Sequence, residues 1–178
     1  MKALLLLGVI LATPAMAQAP DERSVTEASR LALEACVEHA SAVRPIEGKS
    51  GKELDAKGLR YQLNPPEFLA STRMTTLGLG QYLKSPSNAG EIWAIGYDSS
   101  ACMVVTLGAS VDEAAKGYAD YFTQAKSWRQ EKSAGTARPG EQLQKYSWNP
   151  RRNLQLTAII SLRSEANTST VTITRINR

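Results

Sequence analysis

The stretch that decides the fold is residues 91–108, EIWAIGYDSSACMVVTLG. β-branched and aromatic residues crowd both sides of the polar Asp98-Ser99-Ser100 step, which predicts two short strands, 92–97 and 101–107, joined as a hairpin. Cys102 lies in the second of these strands. The other cysteine of the chain, Cys36, lies 66 positions upstream on a predicted helix. A bond between them would staple that helix to the hairpin.

Residues 1–17 set the expected compartment. Lys2 precedes the apolar run ALLLLGVILA, and Ala15-Met16-Ala17 follows as a small-residue cleavage site, the pattern of a secretory signal peptide. The apolar run is about half the roughly twenty residues a membrane span needs. The mature chain is therefore expected to be a single domain, residues 18–178, periplasmic or secreted, with no transmembrane segment after cleavage. In such an oxidising compartment two cysteines predict one structural disulfide, Cys36–Cys102. The formal charge of +4 falls by one unit when Lys2 is removed. That mild basicity suits solubility and, with the exported address, argues against a nucleic-acid partner.

Outward from the hairpin, two helices announce themselves by their starts. Ser24-Val25-Thr26-Glu27 and Ser110-Val111-Asp112-Glu113 both have the form of a capping box. The first opens a stripe of small apolar residues that reaches about Ala42. The second opens an amphipathic stripe, Val111, Ala114, Ala115, Tyr118, Tyr121, Phe122, Ala125 and Trp128, spanning about five turns. The shared SVxEA start is a faint internal echo. The C-terminal region reads as strands 142–148, 154–163 and 170–176; in the last, Val171 and Ile173 alternate with Thr170, Thr172 and Thr174. Residues 45–90 lack a dominant period. There, 48–58 reads as a loop, 59–63 as a possible strand, and Gly78-Leu79-Gly80 lacks the rest of a phosphate loop. The fold class expected is α+β: two helices on one face of an antiparallel sheet, in the approximate order α-β-β-α-β-β with room for one more strand.

The chemistry is bounded mostly by what is missing. One histidine, His39, and two distant cysteines make a poor metal set, and no nucleophile elbow is present. No metal, cofactor or catalytic set is expected. The function expected is an exported binding or protein-interaction module whose partner is an envelope protein or a small ligand. The binding candidates are Tyr61, Trp93, Tyr97, Trp148 and Arg151. The alternative is a small envelope enzyme that uses His39 or the loop carboxylates Glu67, Glu91 and Asp98 as acid and base. Lys145-Tyr146-Ser147-Trp148 and Arg151-Arg152 interleave cations with aromatics, which suits an anionic lipid or cell-wall polymer better than nucleic acid in that compartment.

Overall fold

The computed structural model describes residues 23–47, 51–70, 80–98, 100–132 and 137–177. The leader 1–17 and most of the Gly78-Leu79-Gly80 motif lie outside them. In chain order the elements are α1 (Val25–Ala40), α2 (Gly51–Ala56), β1 (Arg60–Gln62), α3 (Glu67–Ala70), β2 (Gln81–Ser85), β3 (Glu91–Tyr97) and β4 (Ala101–Leu107). They continue with α4 (Val111–Gln124), β5 (Arg129–Glu131), β6 (Glu141–Arg151), β7 (Leu154–Arg163) and β8 (Thr168–Asn177). All eight strands join one antiparallel sheet in the order β1-β2-β3-β4-β8-β7-β6-β5.

The α+β class and the disulfide stand, but the expected element count does not. The structure has four α-helices and eight strands among the described residues, not two helices over four or five strands. β1 falls within the possible strand at 59–63, but the additional helices, α2 and α3, are only six and four residues long, and the additional strand β5 has three residues. Segments that short do not complete enough periods to declare themselves. The second long helix is also shorter than its stripe suggests. It stops at Gln124, and Trp128 reaches the same apolar cluster from the segment that follows.

The element order divides into two similar halves. α1 to β4 and α4 to β8 each contain a long helix followed by four strands, and the last strands of the two halves, β4 and β8, pair at the centre of the sheet. The SVxEA echo falls at the start of each half. At both starts the serine acts as N-cap: Ser24 Oγ accepts from Glu27 N–H and Ser110 Oγ from Glu113 N–H, each at 3.3 Å.

One face of the sheet is roofed by α1 and α4. Alternation along the strands sends Ile92 and Ala94, Cys102 and Val104, Leu156, Ala158 and Ile160, and Val171 and Ile173 under that roof, all buried. The two helices touch at backbone distance. A Cβ added at Gly117 would lie 2.2 Å from the Thr26 carbonyl oxygen, and Thr26 Oγ1 donates to the Glu113 carbonyl at 3.1 Å. Glycine costs about 1 kcal/mol inside a helix relative to alanine, and here close helix packing requires it. At the central seam the buried Tyr118 hydroxyl bridges Thr106 Oγ1 at 3.0 Å and Ser169 Oγ at 3.1 Å, so α4 is fastened to both halves.

Cys36 and Cys102 are bonded, with Cα atoms 5.3 Å apart and both side chains fully buried. The cross-link closes 66 residues, a loop worth about 4 kcal/mol of stability in the chain-entropy description. The double variant Cys36→Ala/Cys102→Ala should therefore lose about 4 kcal/mol, read as a lower urea midpoint with a steeper slope, because the unfolded chain without its cross-link exposes more surface. Gly117→Ala should cost about 1–3 kcal/mol through overpacking, a drop of several degrees in melting temperature. An unchanged melting temperature in Gly117→Ala would mean that the helices are free to separate.

Candidate functional site

His39, the one residue of obvious acid–base interest, lies one helical turn past Cys36 and is 4% exposed. Its Nδ1 accepts from the Ile46 N–H at 2.9 Å, so the ring proton sits on Nε2, which donates to the Asp98 carbonyl at 2.6 Å. Both nitrogens are thus occupied by main chain, and the ring clamps the end of α1, the following loop and the β3–β4 turn together. It also covers Gly96, where an added Cβ would lie 2.9 Å from the imidazole. Burial holds its pKa below the ordinary 6.5, against the raising influence of the Asp98 and Tyr97 carbonyls and the Asp98 carboxylate; Arg175 acts with burial. Asp98 itself turns the hairpin in the left-handed region, with φ 36°. Its carboxylate accepts from the Ser100 N–H and hydroxyl, both at 2.6 Å, which lowers its pKa.

The other carboxylates are dispersed. Glu91 is exposed and pairs with Lys84 at 3.2 Å, and Glu67 is exposed at the start of α3. Among the described residues no group of three or more His, Cys, Asp or Glu side chains is placed to hold a metal ion.

The five binding candidates fall in separate places. Trp93 and Tyr97 share the face of β3 turned away from the long helices, where a second apolar cluster forms. Phe68 and Leu69 of α3 pack with Trp93, Ile95, Val105 and their neighbours. Trp93 is 7% exposed with Lys84 Nζ 5.4 Å from its ring centre. The Trp93 indole N–H and the Tyr97 hydroxyl are buried without a hydrogen-bond partner among the described residues. Tyr61 lies on the opposite, helix-covered face, since it pairs with Leu83, and its hydroxyl donates to Gln81 Oε1. Trp148 is also on the helix side, at the other flank, and Arg151 is exposed at the β6–β7 turn.

Trp148 does come together with groups that the sequence does not single out. Beyond the end of α4 a run of rings fills the flank: Phe122 stacks on Tyr146 at 4.2 Å and meets Trp128 edge-on at 5.0 Å, and Trp128 leans on Trp148 at 5.7 Å. Tyr121 adds a further edge contact to Phe122. Burial and the Glu34 carboxylate push the Tyr121 hydroxyl up to about 12. Beside these rings, where β5 pairs with β6 through Arg129 and Ser147, a cleft of about 270 Å³ is lined by Ser127, Arg129, Ser147, Trp148 and Asn149. The alternation also corrects the idea of a continuous cation–aromatic surface. Lys145 and Ser147 face away from the helices, while Tyr146 and Trp148 pack beneath them. Lys145 is paired to Glu131 at 2.7 Å, and Lys145 and the Ser147 hydroxyl hold the Glu131 pKa low.

A sequence signal for this site exists in the distribution of charge. Residues 126–178 carry ten Lys and Arg against three Asp and Glu, whereas the first 125 residues carry eleven against fourteen. The whole-chain value of +4 conceals that division. Lys126, Arg129, Arg151 and Arg152 are all exposed and make no ion pair among the described residues.

The His39 clamp gives a pH dependence of definite sign. Its folded pKa lies below its unfolded one, so the clamp's contribution is complete above about pH 6.5 and is lost as the pH falls below that value toward the folded pKa. Melting temperatures between pH 7.5 and 5 should fall in the wild-type protein and fall less in His39→Gln. Equal slopes in the two proteins would show that the ring does not carry the effect. No protein-family model, curated protein or solved structure matches this chain.

Proposed function

We propose that the chain is an exported binding module, without catalytic chemistry of its own, that takes its ligand in the cleft beside the β5–β6 pairing. The observation that carries this reading is the cleft itself. It is lined by Trp148 together with Ser127, Arg129, Ser147 and Asn149, the mixture of one apolar surface and a few polar residues that small-ligand sites use. The residues best suited to acid–base work support the same reading by being engaged elsewhere. His39 spends both ring nitrogens on backbone partners, and Asp98 spends its carboxylate on the turn it belongs to. The export half of the proposal rests on the leader-like residues 1–17, and the Cys36–Cys102 bond is compatible with an oxidising compartment.

Amide NMR spectra of the mature chain against a neutral and charged fragment library test the binding half. Shifts are expected at the amides of Ser127, Arg129 and residues 147–149, and they should vanish in Trp148→Ala. Shifts confined to other regions, or none across the library, would overturn it. Mass spectrometry of the native product tests export. An N-terminus at Gln18 with no free thiol is the expected form, and a cytosolic product still beginning at Met1 would sink it.

A further inference from the structure

The structure points to an acidic saccharide as the occupant: we infer that the cleft holds one sugar unit bearing a carboxylate or phosphate, within a longer anionic polysaccharide. This deepens the binding reading above and rests on it.

Three observations carry it. First, the residues lining the cleft include hydrogen-bond donors and no carboxylate: Ser127, Arg129, Ser147, Trp148 and Asn149. The acid of the adjoining strand, Glu131, is already neutralised by Lys145 at 2.7 Å and receives the Ser147 hydroxyl. A guanidinium offers two parallel N–H donors to a carboxylate or phosphate, while the Ser127 hydroxyl and the Asn149 carboxamide can exchange bonds with sugar hydroxyls. Second, the volume of about 270 Å³ falls just under the range of roughly 300–1,000 Å³ typical of pockets for drug-sized ligands. It suits a single ring. Third, the cations continue past the cleft. Lys126 precedes it on the chain, and Arg151 and Arg152 follow at the β6–β7 turn, all exposed. An isolated anion would leave them idle, whereas successive charges on a polymer would meet them in turn.

Nucleic acid satisfies the charges less well at this site. Base recognition on a single strand relies on open aromatic platforms, and the rings here are partly buried and spent on one another, Tyr146 on Phe122 and Trp148 on Trp128.

Calorimetric titration of the mature, oxidised protein with tri-galacturonate, glucose 6-phosphate, neutral maltotriose and a short oligothymidylate tests the assignment, with amide NMR to locate each ligand. Tri-galacturonate or the sugar phosphate should bind at the cleft amides, several-fold more weakly at 200 than at 50 mM salt. Which of the two binds more tightly identifies the carboxylate or the phosphate as the natural anion. Arg129→Gln should weaken that binding at least tenfold, with Arg129→Lys intermediate and the melting temperature of both unchanged. Arg151→Gln/Arg152→Gln should weaken a hexamer of galacturonate more than the trimer. Maltotriose binding as tightly as the acidic sugars would overturn the anionic assignment, and oligothymidylate binding more tightly than either would overturn the saccharide one. Cleft shifts with neutral fragments but none with any acidic sugar would overturn this inference and leave the binding reading in place. An absence of shifts with every probe would remove both.

Discussion

Eight strands at about 4.8 Å apart make a sheet roughly 34 Å across, whereas two packed helices, each about 10 Å wide, span about 20 Å. The roof is narrower than the floor it covers, and much of the architecture answers that mismatch. α1 lies over the first half and the seam, and α4 over β7 and β8. On the β1 flank, Ile46, Leu54 and Leu59 extend the cover from the α2 region. On the β5 flank no further helix lies among the described residues, and the row of rings from Phe122, at the end of α4, to Trp148 extends the cover. Large flat side chains bury area efficiently, yet they cannot close a surface as evenly as a helix. The candidate cleft opens beside them, at the margin where regular cover ends.

The central fastening works at the opposite extreme of closeness. Gly117 lets α4 touch the α1 backbone, Tyr118 reaches the two seam strands with one hydroxyl, and the disulfide and His39 hold the end of α1 to the β3–β4 hairpin. Each depends on a small or buried polar group in one defined orientation. Rigidity at the centre and irregular cover at the β5 flank follow from the same allocation of residues.

How much of this is legible in the chain depends on whether a feature is local and repeated. Ser24 and Ser110 mark both long helices because a cap is a four-residue signal, and both serines do accept the N–H three residues on. The alternation in β7 persists over its ten residues, and that in β8 as far as Thr174, which reveals the facing of both strands directly. The Cys36–Cys102 bond follows from counting. By contrast, β5 has three residues, and without it Arg129 has no reason to stand opposite Ser147. The cleft is therefore invisible from residue types alone, which single out Trp148 but not the other residues of its lining. Trp93 and Tyr97 do share one strand face, but the α3 residues that cover them belong to a segment without periodicity. Tyr61 has the aromatic character of that pair and lies across the sheet from it.

The position of β8 has a bearing on how the chain is assembled as it emerges from its N-terminus. Residues 36 and 102 are both present before the second half exists, so the first half can be covalently closed while β4 still shows a bare edge in what becomes the middle of the sheet. The strand that fills this vacancy is the last of the eight in chain order. Until it arrives, β4 and β7 both expose unpaired backbone, a template for pairing between molecules. A chain that stopped short of Thr168 would therefore lack its keystone, since residues 168–174 are the ones that close the β4 edge.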